Sequence, residues 1–90
     1  MKVVRDPGKA ASNLRKHGIR FSDAEGVLFD PNAIAEEDPS IDVERRFMTM
    51  GIDSLGIVLV VDCCFRGEDI RLISARRATK REREQYETRI

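Results

Sequence analysis

Histidine and cysteine are scarce in this chain of 90 residues. It contains a single histidine, His17, and two cysteines, Cys63 and Cys64, which are adjacent. Because an adjacent cysteine pair makes a poor structural disulfide, we expect two reduced thiols. One histidine and a vicinal cysteine pair also lack the ligand spacing of a zinc site. The sequence therefore predicts neither a bound metal nor another cofactor.

Long apolar segments are missing as well. No window approaches the roughly 18 apolar residues of a transmembrane helix. The first six residues lack the apolar region of a secretory signal. We therefore expect a cytoplasmic protein with no membrane contact. A chain of this length can form one small core, which predicts a single domain over residues 1–90.

Charges of the two signs are equal in number but segregated along the chain. Residues 1–20 hold six Lys or Arg and one acid, a net charge of +5. Residues 71–90 hold seven Lys or Arg and three acids, a net charge of +4. Residues 21–70 hold three Lys or Arg and twelve acids, a net charge of −9. If the two ends meet in space, they form a cationic face suited to a polyanion. The alternative is charge scattered over solvated surfaces.

Helix signals dominate the N-terminal part of the chain, after a possible short strand at Val3 and Val4. Asp6-Pro7 is typical of a helix start, and Gly18 favours the left-handed residue that ends a helix. The segment 22–25, Ser-Asp-Ala-Glu, has the capping-box pattern of a second helix, which Asp30-Pro31 would end. The sequence therefore predicts two N-terminal helices.

Strand signals follow in the second half. Residues 45–50 alternate between the two sides of a strand, and the apolar run 57–61 is typical of a central strand buried on both faces. Residues 70–75 form another strand, and residues 33–35 a further short one before an acidic turn or loop at 36–40. Short turns between consecutive strands predict an antiparallel sheet of three to four strands.

The last strand leads into a terminal helix. Strict alternation over residues 70–75 would place Arg71, Ile73 and Ala75 on one face, and Leu72 and Ser74 on the other. The segment 79–82, Thr-Lys-Arg-Glu, is a second capping box, so a last helix is expected from about residue 80. The predicted fold is therefore α+β, with two N-terminal helices, an antiparallel sheet and a C-terminal helix.

Several short motifs occur in a family-specific order over about residues 3–87. They are Asp6-Pro7 with Lys9 and Asn13, Lys16-His17-Gly18-Ile19, Phe21, Phe29-Asp30-Pro31, Glu44-Arg45-Arg46-Phe47, Gly51, Arg66-Gly67, the run IRLISARRA at 70–78, Glu82-Arg83 and Gln85-Tyr86-Glu87. In combination they resemble the BrnT family of toxins. One position departs from the pattern: Arg5 stands where the family often has tryptophan, so no base-stacking role is carried over to it.

The resemblance implies a RelE-like fold and a function. The chain would be the ribonuclease toxin of a bacterial type II toxin–antitoxin module, with RNA as its substrate. Its partner would be a BrnA-like ribbon-helix-helix antitoxin, and the complex would bind operator DNA. The alternative is a non-catalytic module that binds nucleic acid or a partner through the same basic surface.

Metal-independent RNA cleavage needs a proton acceptor for the ribose 2′-OH, cations for the phosphorane and a proton donor for the leaving oxygen. Arg76 is the first candidate, because it lies at a strand end and its planar fork suits phosphate; its alternative is an ion pair with Glu82. Arg46 and Arg66 are possible helpers. His17 is the acid–base candidate, or else it caps a helix. Tyr86 donates a proton or packs on the sheet.

The remaining basic candidates are assigned to RNA binding. They are Lys16, Arg77, Lys80, Arg81 and Arg83. The alternative for those on the last helix is solvated charge, and Arg83 is spaced to pair with Glu87.

Overall fold

The computed structural model describes residues 2–38 and 45–89. Its elements are β1 (Lys2–Arg5), α1 (Pro7–His17), α2 (Phe21–Ala24), a 3₁₀ helix (Glu25–Phe29), β2 (Ile34–Glu37), β3 (Arg46–Ile52), β4 (Val58–Arg66), β5 (Asp69–Arg77) and α3 (Lys80–Arg89). Glu44 and residues 39–40 of the predicted acidic loop lie outside the described residues, and the two glutamates of that loop, Glu36 and Glu37, belong to β2.

Within the described residues the sheet has five strands in the order β1-β5-β4-β3-β2. Strands β2 to β5 form the expected antiparallel meander. The prediction of three to four antiparallel strands is nevertheless wrong, because β1 adds a strand that pairs with β5 in parallel. The chain between β1 and β5 includes α1 and α2, which provides the crossover that a parallel pair requires.

The two faces of the sheet are covered differently. The first core lies between the sheet and α1, α2 and the 3₁₀ helix, and its buried members include Phe21, Leu59 and Leu72. The second core is smaller and consists of Tyr86 of α3 on Met50 and Val60. We call the side of the sheet that carries Val60 the α3 face. Helices α1 and α3 therefore lie on opposite sides of the sheet.

A β-bulge changes which side chains of β5 share a face. Asp62 of β4 pairs with Ser74, but the next residue, Cys63, pairs with Leu72, so Ile73 is skipped. Arg71 consequently lies on the α3 face with Ser74, while Leu72 belongs to the opposite core. The prediction from strict alternation is wrong for this strand, because an inserted residue reverses the alternation beyond it.

The helix starts were predicted with mixed success. The Gly8 N–H donates to Asp6 Oδ1 at 2.9 Å, and Gly18 ends α1 with a φ of 68°, as the sequence indicated. The second capping prediction is wrong: α2 begins at Phe21, Arg20 precedes it without a side-chain cap, and the helix becomes 3₁₀ after one turn. Burial of Phe21 in the main core fixes this earlier start.

No helix in residues 2–38 and 45–89 is long and apolar enough to cross a membrane.

Candidate active site on the sheet face

Helix α3 is anchored at one end of the α3 face by Tyr86. Its ring is 1% exposed, and its hydroxyl donates to Asp30 Oδ2, which also accepts from the Ile52 N–H at 2.9 Å. Burial, and then the bond to Asp30, raises the pKa of Tyr86 to about 12. Tyr86 therefore packs on the sheet, which was the alternative to its role as a proton donor, because its hydroxyl is enclosed and already donates to Asp30.

Arg76 of β5 lies on the α3 face beside the start of α3. Its Nη1 and Nη2 atoms donate to the two carboxylate oxygens of Glu82 at 2.7 and 2.9 Å. The ion pair with Glu82 that was the alternative for this residue is therefore present. The hydrogen bond from Arg76 lowers the pKa of Glu82 to about 2 and, reciprocally, raises the pKa of Arg76. The Arg76 side chain remains 37% exposed in this pair.

Glu82 also belongs to the cap of α3. Its Oε1 atom accepts from the Thr79 N–H at 2.8 Å, and its own N–H donates to Thr79 Oγ1 at 3.2 Å. This is the capping box that the sequence predicted. One carboxylate therefore both starts the helix and orients Arg76.

Arg46 of β3 shares the α3 face with Arg76 but lies further along it. Arg46 pairs in register with Cys64, whereas Arg76 pairs with Val60. Arg71 of β5 also pairs with Cys64, from the other side, so these two arginines flank the same residue of β4. Sequence reasoning assigned no role to Arg71, because the bulge that puts it on this face has no signal in the local pattern.

Acidic and hydroxyl groups occupy the positions between these arginines. Asp62 lies between Val60 and Cys64 on β4, and Ser74 Oγ donates to Asp62 Oδ2 at 3.3 Å. Arg66, the third predicted catalytic arginine, is the exposed last residue of β4 and pairs with Asp69 at the hairpin. The sheet therefore brings Arg46 and Arg76 to one face, together with Arg71.

The basic residues of α1 are not on this face. His17 and Lys16 are exposed at the end of α1, where they line a cavity of about 250 Å³ with Ile73 and Ser74. This cavity lies on the α1 side of the β5 edge. The structure thus does not bring His17 into the group formed by Arg46, Arg71 and Arg76.

The predicted RNA-binding residues near the C-terminus are exposed and divided between the two sides. Arg77 pairs with Leu59, whose side chain belongs to the main core, so Arg77 points away from the α3 face. Lys80, Arg81 and Arg83 lie on the outer surface of α3, where Arg83 Nε is 3.7 Å from Glu87 Oε1.

Arg81 also lines a groove of about 560 Å³ between α3 and the β2–β3 edge. The groove floor includes Ile34, Met48 and Met50. In the part of the chain that the structure describes, no three His, Cys, Asp or Glu side chains are grouped to hold a metal ion.

Comparison with known proteins identifies the family. A family model described as "Ribonuclease toxin, BrnT, of type II toxin-antitoxin system" matches residues 6–82. This chain belongs to the BrnT family. The BrnT-family chain is also similar to the 1.1 Å crystal structure of the Brucella abortus ribonuclease toxin BrnT, with 30% identity and a TM-score of 0.65 over 89% of this chain and 99% of that one. A comparison with curated proteins gives no significant match.

Proposed function

We propose that this chain is an RNA-cleaving toxin that uses the ribose 2′-OH as nucleophile, as expected of RelE-like ribonucleases, and needs no metal. Membership of a family of ribonuclease toxins supports the activity. The observation that carries the mechanism is the position of Arg76 on the α3 face, where Glu82 orients its guanidinium and the side chain is still 37% exposed. A preorganised cation of this kind can stabilise the charge that develops on a phosphorane.

Arg76 is the proposed charge-stabilising residue; Arg46 and Arg66, predicted as its helpers, lie further along the sheet and are proposed to hold the RNA beside the reacting phosphate. Glu82 accepts from both Nη atoms of Arg76 and so holds the planar fork in one orientation, in which it can bind a phosphate oxygen. The proton-transfer roles predicted for His17 and Tyr86 receive less support, because His17 lies across the sheet and the Tyr86 hydroxyl is bonded to Asp30.

The mechanism is tested with a single-stranded RNA in excess chelator. We expect cleavage to persist and to leave 2′,3′-cyclic or 3′-phosphate ends. Arg76→Ala should lower the rate by on the order of 10²–10³, as loss of one preorganised donor does. Arg76→Lys should restore only part of it, because lysine keeps the charge and loses the fork.

Arg15→Ala removes an exposed arginine at the end of α1, outside the proposed site, and serves as the matched control. Activity that vanishes in chelator and returns with magnesium would contradict the metal-free mechanism. RNA that is bound but never cleaved would favour the non-catalytic binding module instead.

The partner we propose is a BrnA-like ribbon-helix-helix antitoxin, whose complex with the toxin binds operator DNA. The family description, which names a type II toxin–antitoxin system, supports an antitoxin. Co-expression with the adjacent small reading frame should give a complex that survives purification and binds the upstream DNA. Separate elution of the two proteins at micromolar concentration would argue against this partner.

A further inference from the structure

Two arginines outside the Arg76–Glu82 pair flank one residue of the sheet on its α3 face. Arg46 on β3 and Arg71 on β5 both pair in register with Cys64 on β4. Neighbouring strands are about 4.8 Å apart, so the backbones of the two arginines are separated by about 10 Å. Cys64 between them is 1% exposed, although it lies on the α3 face. Two guanidinium groups on this spacing can close on a single oxyanion.

One donor of each of these two side chains, the Nε–H, lacks an acceptor among the described residues. The Nε–H groups of Arg46 and Arg71 are both buried. Other arginines of the chain do have carboxylate partners: Arg5 bonds Glu25 at 2.9 Å and Arg45 bonds Glu37 at 3.1 Å. A buried N–H without an acceptor is costly in a folded protein, so two at one place require an explanation.

We propose that Arg46 and Arg71 form an oxyanion clamp for a backbone phosphate of the RNA, separate from the phosphate that reacts at Arg76. An anionic oxygen is the acceptor that a pair of guanidinium groups binds most strongly. This inference rests on the proposed function, because it takes RNA as the ligand, and it adds Arg71 to the residues that bind the RNA.

The clamp and Arg76 contact different phosphates because of their positions along β4. Arg76 pairs with Val60 and the clamp with Cys64, four residues further, which is about 13 Å along a strand. Asp62 lies between them and its negative charge disfavours a phosphate there. The clamp therefore positions the RNA, while Arg76 acts on the scissile phosphate.

The test measures binding separately from cleavage. A 2′-deoxy-substituted oligonucleotide at the cleavage position cannot react, so its affinity for each variant is measured over a range of salt concentrations. Log affinity falls linearly with log salt concentration, and one lost phosphate contact makes this line shallower by about 0.7 for a single strand. We expect Arg46→Ala and Arg71→Ala each to lower the slope by about this amount, and the double variant to lower it by hardly more, because both side chains bind one phosphate.

The matched control is Arg45→Ala, since Arg45 is adjacent to Arg46 but exposed and paired with Glu37. It should keep the parent slope. With cleavable RNA the clamp variants should raise KM and keep kcat within a few-fold, whereas Arg76→Ala should lower kcat. Arg46→Met and Arg71→Met, which keep an unbranched stem without the charge, should give the same pattern if the alanine variants unfold.

Three results would overturn the clamp. One is a parent slope in the double variant, which would mean no phosphate contact. Another is a double variant whose slope changes by twice as much as that of each single variant, which would mean that the two arginines contact two separate phosphates. The third is competition by free inorganic phosphate at millimolar concentration that is as strong for the double variant as for the parent. If the parent binds the oligonucleotide with the expected slopes but cleaves no RNA, the clamp stands and the proposed ribonuclease activity fails.

Discussion

At the residue scale, one buried amide completes the sheet where β1 ends. Strand β1 pairs with β5 only from Asp69 to Leu72, which leaves the edge of β5 open beyond that point. Asn13 of α1 fills the gap: its Oδ1 accepts from the Ala75 N–H, and its Nδ2 donates to the carbonyls of Ala75 and Ile19, all at 2.9–3.0 Å. The Asn13 side chain thus makes the hydrogen bonds with Ala75 that a longer β1 would have made.

Asn13→Ala should therefore destabilise the protein strongly. The substitution leaves the N–H and C=O of Ala75 buried without partners, and an unsatisfied buried group costs about 1–3 kcal/mol. We expect a loss of roughly 2–4 kcal/mol in the free energy of unfolding, measured by denaturant titration. Asn32→Ala removes an exposed asparagine and should change this value by less than about 0.5 kcal/mol. Equal values for the two variants would refute the edge-sealing role.

His17 tests whether a single imidazole is needed for the reaction. It lies at the end of α1, on the opposite side of the sheet from Arg76. His17→Gln should therefore lower the cleavage rate by much less than the roughly 10²–10⁴ that loss of a general acid or base costs. The pH–rate profile should also keep its shape around pH 6.5, the ordinary range of histidine. A large loss together with a changed profile would instead place His17 in the reaction.

At this scale the sequence was informative about chemistry and poor about partners. The spacing of Arg76 and Glu82 was short enough to suggest their ion pair, and the pair is present. The contact between Asn13 and Ala75 spans 62 positions, and the one between Asp30 and Tyr86 spans 56. Such contacts depend on the topology of the sheet, which no local pattern encodes.

At the scale of elements, α3 is held by two polar contacts at its ends and little apolar area. Glu82 caps its first turn and bonds Arg76, and Tyr86 bonds Asp30 near its end. The pKa of Asp30 is lowered overall: burial acts to raise it, but the hydrogen bond from Tyr86 and two backbone N–H groups outweigh that effect. The attachment of α3 should therefore depend on pH.

Glu82 defines the acid limit of this attachment. Its pKa falls from an ordinary 4.5 to about 2 in the folded protein, chiefly through the bond from Arg76. A carboxylate with a lowered folded pKa contributes stability that is complete above about pH 4.5 and is lost as the pH falls towards 2. Glu82→Gln can still cap the helix but has no charge to lose.

Unfolding free energies at a series of pH values from about 6 down to about 2 measure this difference, because that range contains the transition. The parent should lose stability through the window more steeply than Glu82→Gln. Glu84→Gln changes an exposed acid on the same helix and should follow the parent. If Glu82→Gln also follows the parent, the pair with Arg76 does not contribute.

The sequence predicted the elements better than their arrangement. Both ends of α1, the cap of α3 and the central strand β4 carried strong local signals, and the structure confirms them. The β1 strand has four residues, too few to show its parallel pairing with β5. The bulge opposite Asp62 was also missed, and it decides that Arg71 belongs to the α3 face.

At the scale of the whole molecule, the two basic ends of the chain meet at β5 but do not form one surface. Strand β1 pairs with β5 and α1 packs on it from one side, while α3 covers part of the other side. The cationic face that the charge segregation suggested is therefore divided by the sheet. RNA that binds the α3 face need not contact the basic residues of α1.

Lysine reactivity distinguishes the two sides, because lysines occur on both. Lys80 begins α3 next to the Arg76–Glu82 pair, whereas Lys9 lies on α1. When an uncleavable RNA is bound, we expect Lys80 to be protected from acetylation and Lys9 to react as in the free protein. Mass spectrometry of the acetylated peptides gives both rates in one experiment, with Lys9 as the internal control. Protection of both lysines to the same degree would mean that the RNA wraps around the sheet edge, and Lys16 on α1 would then belong to the binding surface as the sequence suggested.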